Sequence, residues 1–173
     1  MGRNKYDMSG ECFTRGKNAE DSFCALAESK KFKCSPSSSY KNIYCHVDFI
    51  LERDDQKFLV DVKGRKKTNR FDKNVDDLWI WIELQNVNGK KGWLYGSADW
   101  IAFERINDFV LINRNKLIDL IKSFKMPKEL VSKASLAKYR LYQRKASGRK
   151  DLITQIEMSH ILETDGVKIW KKI

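Results

Sequence analysis

Histidine, proline and long apolar runs are scarce in this sequence, and each shortage excludes something. The chain of 173 residues has two histidines, His46 and His160, which stand alone. Neither belongs to an arrangement with a Ser or Cys nucleophile, so a hydrolase triad is not expected. Two prolines leave no proline-rich linker, and no internal repeat or low-complexity segment is visible. No apolar run approaches the roughly 20 residues of a membrane span, and no basic amphipathic helix with a broad apolar face suggests a membrane surface. The opening MGRNKYDMSGE is polar and lacks the apolar core of a signal peptide. These absences lead to the expectation of a soluble protein that stays inside a cell, in cytoplasm or nucleoid. There is no Walker loop and no GxGxxG, so nucleotide-fuelled work is unsupported. Cys12, Cys24, Cys34 and Cys45 follow no CxxC spacing. Free, partly buried thiols are expected from them, with a metal cluster that includes His46 as the weaker alternative.

Acidic residues are the other shortage: 23 Asp and Glu face 34 Lys and Arg, for a net charge of +11. Such an excess suits a polyanion, and nucleic acid is the expected partner. At 42% hydrophobic and 12% aromatic the composition is that of a folded protein, and the length favours a single domain over residues 1–173 with its own core.

Residues 16–31, GKNAEDSFCALAESKK, read as a helix, because Ala19, Phe23, Leu26 and Ala27 fall on one stripe. Glu20 lies beside that stripe. SPSSSYKN (35–42) reads as a loop. IYCHVDFIL and KFLVDV are strand candidates rich in β-branched and aromatic residues, and ERDDQ between them makes an antiparallel hairpin. KGRKKTNRFDKN is a basic, glycine-bearing loop. LWIWIEL is a further strand, followed by a turn with an Asn-Gly signal. WLYG, SADWIAFE and FVLIN read as short strands, and RNKLIDLIKSF as a helix that stops near Pro127. Residues 128–138 read as helical, DLITQIEM as a strand, and the end as a short helix or tail. The expected class is α/β on one mixed central sheet flanked by helices, with a core at about 14–125 and a basic C-terminal extension at 126–173.

The stretch HVDFILERDDQKFLVDVKGRKK raises a question of cost. Side chains alternate along a strand, so Asp61 and Lys63 share one face while Val60 and Val62 take the other. A hairpin brings Asp48 near Asp61. Two carboxylates that close repel unless a cation lies between them. Mg²⁺ or Mn²⁺ fits, with the carboxylates of Asp48 and Asp61 and the backbone carbonyl of Val62 as ligands. Lys63 would position the attacking water, and the ion would neutralise charge on a scissile phosphate. The competing reading is a plain ion pair on an exposed hairpin. Against it, both strands are apolar enough to be central, where charge is rare. A basic loop also follows at once, in which Arg65, Lys66, Lys67 and Arg70 suit a phosphate backbone. A second basic segment, 134–150, has six basic residues and no acid: Lys138, Arg140, Arg144, Lys145, Arg149 and Lys150. Tyr139 and Tyr142 lie between them, and contact with nucleic acid is expected here too. Asp99 reads as a structural cap, and Trp93 and Tyr95 as core residues or base-stacking platforms.

A helix with Glu20, then Asp48, then Asp61-x-Lys63 on the next strand resembles the ordered motif of the PD-(D/E)xK nuclease superfamily. RGKNAEDSFCALAESKKFKC is similar to the opening helix of its archaeal Holliday-junction-resolvase branch. The resemblance covers roughly residues 14–85. It implies a restriction-endonuclease-like αβββαβ core, with Asp48 and Asp61 as metal ligands and Lys63 as the catalytic lysine. Glu20 is implied as an additional acid for a second metal. Some members of the superfamily place a glutamine on the strand after the lysine, which here is Gln85, with Glu83 as a possible further acid. Val47 stands where the motif has proline, and Asp61 where glutamate is commoner. The implied function is Mg²⁺-dependent hydrolysis of branched or otherwise structured DNA. It would be carried out by a homodimer if junctions are resolved, since two symmetric cuts need two sites. A nuclease of this kind suits a virus or mobile element. The alternatives are a non-catalytic nucleic-acid-binding module of the same fold and an RNA-processing nuclease.

Overall fold

The apolar stripe of Ala19, Phe23, Leu26 and Ala27 forms the buried side of the first helix in the computed structural model, which describes residues 10–68, 72–144 and 148–172. In chain order the elements are α1 (Glu11–Ser29), β1 (Lys33–Pro36), α2 (Ser39–Cys45), β2 (Phe49–Arg53), β3 (Gln56–Lys63), β4 (Trp79–Gln85), β5 (Trp100–Glu104), β6 (Asp108–Asn113), α3 (Arg114–Ser123), β7 (Leu152–Glu157), α4 (Met158–Leu162) and β8 (Lys168–Lys171). Two units interleave along the chain. The first comprises Met1–Arg65, Ser97–Arg114 and Gly166–Ile173, and the second Lys66–Gly96 and Asn115–Asp165. The expected α/β class with a mixed central sheet holds, but the strands form two sheets instead of one.

The sheet of the first unit has six strands in the order β1-β2-β3-β5-β6-β8. β3 and β5 run parallel, and every other pairing is antiparallel. The β2–β3 hairpin turns on Asp54 and Asp55, both at positive φ (52° and 60°), the backbone of a type I′ turn. Asp tolerates that conformation better than most residues. One face of the sheet, through Phe49, Leu51, Val60, Val62, Ala102, Phe109 and Leu111, meets the stripe of α1 in one apolar cluster. Phe23 is fully buried at its centre, 5.6 Å from the ring of Trp170 and 5.3 Å from that of Phe109. Burying such a side chain contributes about 1.5–3 kcal/mol. Gly64, just past β3, lets α1 come close: a Cβ there would lie 3.2 Å from both the Ala19 Cβ and the Arg15 carbonyl oxygen.

In the second unit β4 and β7 pair antiparallel, with an irregularity between Glu83 and Gln85. Ile80 and Ile82 on β4 are buried, as their alternation predicts, and so are Thr154, Gln155 and Ile156 on β7. The Gln155 amide donates to the carbonyl of Thr68 at 2.9 Å.

Several expected elements differ. SPSSSYKN is not all loop: the Ser38 side chain accepts from the Lys41 N–H at 3.3 Å and starts α2. That helix takes Ile43–Cys45 out of the expected strand, ends at His46 with φ 51°, and leaves β2 to begin at Phe49. WLYG is a 3-10 turn, Trp93–Tyr95, with Trp93 and Leu94 buried. Residues 128–138 are not an α-helix, because their backbone bonds go elsewhere. The Val131 N–H donates to Leu141 at 2.8 Å, and only Ala134–Leu136 makes a 3-10 turn. The C-terminal end is neither helix nor tail but β8, an edge strand of the main sheet.

Gly92 carries a tight constraint in the second unit. A Cβ there would lie 2.4 Å from the backbone carbonyl oxygen of Glu83, which cannot yield without moving β4, whereas a Cβ on Gly16 in α1 meets nothing within 4 Å. Gly92→Ala is expected to destabilise by about 1–3 kcal/mol. Gly16→Ala is expected to stabilise by about 0.5–1 kcal/mol. Urea midpoints of the two variants check both signs.

Candidate active site

Where β2 and β3 part, the chain sets its most costly charges. Their ladder closes at Phe49 opposite Val60, yet β3 runs on to Lys63, paired along its other edge with Trp100–Phe103 of β5. Asp48 lies one residue before β2, not within a strand as expected, and its N–H donates to the Val60 carbonyl at 2.9 Å. Beyond that point the Val62 N–H has lost its partner strand, and the Asp48 carboxylate takes the strand's place: Oδ2 accepts from Val62 N at 2.8 Å. A residue's N–H and C=O lie on the same edge of a strand, so the carbonyl of Val62 also turns toward the side of Asp48.

Asp48 and Asp61 are both buried. Val60 and Phe49 face α1, so the residues next to them, Asp61 and Asp48, belong to the opposite face, as strand alternation requires. Asp61 is flanked in the β3–β5–β6 register by Ile101 and then Ile112, both fully buried, which explains its loss of water. Lys63 Nζ donates to Asp61 Oδ1 at 2.5 Å. Burial, aided by the charge of Asp48, holds the Asp61 carboxyl well above the usual carboxylate range, although Lys63 pulls the other way. Burial and then Asp48 also push the Glu20 carboxyl up, with Lys63 opposing. Glu20 also lies 3.8 Å from Lys17 on its own helix. Asp61, from β3, and Glu20, from α1, thus each feel the charges of Asp48 and Lys63.

Asn42 is a further partner of Asp48 and was not anticipated, because it falls in the segment read as loop. Its Nδ2 donates to Asp48 Oδ1 at 2.7 Å from α2. No spacing signal in the sequence pointed to it; only the α2 helix brings it to Asp48. Two oxygens here, Asp61 Oδ2 and Asn42 Oδ1, are buried without a hydrogen-bond partner among the described residues. Orphaned acceptors, as opposed to donors, are what a cation or its bound waters would satisfy, and the donor set is all hard oxygen. Among the described residues no three of His, Cys, Asp and Glu converge as a ready-made metal cage. Mg²⁺ is commonly held by one or two carboxylates together with waters and substrate oxygens, so this set is compatible with it.

The remaining expected residues lie elsewhere. Gln85 belongs to the second unit, where its amide donates to the Lys150 carbonyl at 2.5 Å. In the first unit the Arg65 N–H donates to the Glu104 carboxylate at 3.2 Å. In the second, Lys66 bridges to Asp76 through backbone, and the Lys67 carbonyl accepts from the Trp81 indole at 3.1 Å. Lys138 lies over the Trp79 ring, 4.0 Å from its centre. Arg149 grips Asp151 with two bonds of 3.0 and 2.7 Å. The Nε of Arg140 is buried, whereas Arg144 and Lys150 are exposed. Arg70 and Lys145 lie outside the described residues. Asp99 joins the main sheet, its carboxylate accepting from the Leu59 N–H at 2.8 Å. Cys24, Cys34 and Cys45 carry free thiols. No helix among the described residues is long and apolar enough to cross a membrane.

Comparison with models of known protein families, with curated proteins and with solved structures finds no match to this chain.

A carboxyl whose pKa is raised by folding contributes stability below the ordinary carboxylate range and loses it as pH climbs through the raised value. For Asp61 that sign makes the ionised form a burden in metal-free buffer. Asp61→Asn is expected to raise Tm in EDTA by about 2–8 °C near neutral pH, with a smaller gain at about pH 5. Mg²⁺ or Mn²⁺ is expected to raise the Tm of the unaltered chain and not that of Asp61→Asn. Scanning calorimetry at the two pH values, with and without the ion, checks both.

Proposed function

We propose that this chain is a metal-dependent phosphodiester hydrolase that cuts DNA, with branched or otherwise distorted DNA as its substrate, on a restriction-endonuclease-like core. The observation that carries this reading is the pair of buried carboxylates, Asp48 and Asp61, at the open edge of β3, with the Lys63 ammonium 2.5 Å from Asp61. A structural ion pair would not require a second acid beside the first, nor leave a buried carboxylate oxygen without a partner. Asp48, Asp61 and the Val62 carbonyl would hold Mg²⁺ or Mn²⁺. When bound, the ion supplies positive charge at the scissile phosphate and makes hydroxide easier to form.

The chain's own groups do the rest. Asn42 and the Val62 N–H fix the Asp48 carboxylate in place. Lys63 draws Asp61 toward its ionised form against the larger effect of burial and donates hydrogen bonds to the attacking water. Glu20, which feels the charge of Asp48, would be the further acid, for a second ion or for orienting that water. The net charge of +11 supports a polyanionic substrate. The helix and hairpin order of the described residues gives no reader of a defined base sequence, and this reading takes shape as what is recognised.

The test is cleavage of labelled four-way junction, flap, linear duplex and RNA hairpin in Mg²⁺, Mn²⁺ and EDTA. Ion-dependent cutting is expected on branched DNA before linear DNA or RNA. Asp61→Asn and Lys63→Ala are each expected to lose about a hundredfold or more in rate while binding stays within about threefold. Binding without cutting in any ion would favour a non-catalytic module, and preference for the hairpin an RNA-processing nuclease. Arg144→Glu with Lys150→Glu is expected to weaken DNA binding and lower the slope of log affinity against log salt by about 2. Titrations at several salt concentrations read that slope directly.

A further inference from the structure

The short helix α2 is amphipathic the wrong way round. At 100° per residue Tyr40, Ile43 and Tyr44 form one stripe, and Asn42 lies about 200° from Tyr40, on the opposite side. Asn42 is the residue turned inward, to Asp48. The apolar stripe faces water: Tyr40 is 67% exposed, Tyr44 65% and Ile43 51%, and no residue of the helix is buried. The two tyrosine rings lie against each other with centroids 5.1 Å apart. An exposed apolar surface of this kind on a folded chain marks a contact site.

Two observations identify what it contacts. First, the helix that presents the stripe holds the Asp48 carboxylate from its opposite side, so whatever lies on the stripe is separated from the candidate active site by about the width of a helix, roughly 10 Å. Second, the helix itself carries positive charge, with one lysine and no acid over Ser39–Cys45. Lys33 is engaged with Glu52 at 3.3 Å, but Lys41 stands on α2 itself, next to Tyr40. Aromatic faces flanked by positive charge are the elements of a platform for single-stranded nucleic acid, with rings under the bases and cations at the phosphates. Bases stacked inside an intact duplex cannot reach such rings.

We infer that Tyr40 and Tyr44, with Ile43 beside them, form a stacking platform for unpaired nucleobases of the DNA substrate, on the outward face of the helix whose inward face holds Asp48. The inference rests on the nuclease reading for its substrate. It gives that reading a specific source of selectivity: the platform engages flaps, gaps and branch points, where base faces are bare, and passes over continuous duplex.

The experiment measures binding of the full chain in EDTA, where no cutting occurs, to a fluorescent DNA flap with a short single-stranded arm and to a blunt duplex of equal length. Tyr40→Ala with Tyr44→Ala is expected to weaken flap binding by about 10–100-fold and duplex binding by less than about threefold. Tyr40→Phe with Tyr44→Phe, which keeps the rings, is expected to stay within about threefold on both. Equal losses on both DNAs, or none on the flap, would overturn the platform. So would sedimentation that turns a dimer into a monomer when the rings are removed, because the stripe would then cover a second copy of the chain. Since binding is read without metal, an unaltered chain that cuts nothing counts against the nuclease reading alone, and a flap preference that survives ring removal counts against the platform alone.

Discussion

The burial of the Asp61 carboxylate is the constraint on which the candidate site depends. A charge enclosed by Ile101 and Ile112, with a second carboxylate beside it, is tolerated only where cations and hydrogen bonds offset the lost water. Lys63 provides part of that, from two residues further along the same face of β3. Asp48 cannot help, because it has the same sign. Instead it is tied down from two directions, by Asn42 and by the Val62 N–H. What remains uncompensated is one oxygen of Asp61, and there a cation would do most good.

The fold of the first unit reads as the means of creating that corner. The hairpin sets the register that puts Asp48 and Asp61 on one face, and the early end of its ladder frees an N–H for Asp48. Parallel pairing with β5 carries β3 on through Lys63, beyond the end of its ladder with β2. α1 covers the other face with Phe23 and its neighbours, and the absence of a side chain at Gly64 lets the helix pass close at Arg15 and Ala19. Helix and strand thus supply Glu20, Asp61 and Lys63, and hydrogen bonds from Asn42 and Val62 hold Asp48, which suits a site that must hold like charges at fixed separation.

The second unit uses its polar and aromatic residues mainly on itself. Gln85, Gln155 and Arg149 are bonded within it, and Trp79 lies under Lys138 and edge-on to Tyr139. A run of basic residues in a sequence is therefore not yet a binding surface. Arg149 is neutralised by Asp151, whereas Arg144 and Lys150 reach water.

The chain by itself determined the elements whose signal is local. The stripe of α1, the alternation of β3 and β4, and the Asp-Asp turn of the hairpin were all legible, because side-chain direction follows from backbone period alone. The same alternation was enough to put Asp61 and Lys63 on one face and to draw Asp48 to them. Tertiary structure decided what depends on partners distant in sequence. LWIWIEL was plainly a strand, but only pairing with residues 152–157 assigned it to a second sheet, and β8 exists as a strand only because β6 offers it an edge. Residues 128–138 had helical composition and lost it to long-range backbone bonds. Asn42 and the tyrosine stripe stayed hidden for a related reason. α2 is too short for periodicity to declare it, and its meaning comes from the carboxylate it meets six residues later, across a turn that folding alone closes.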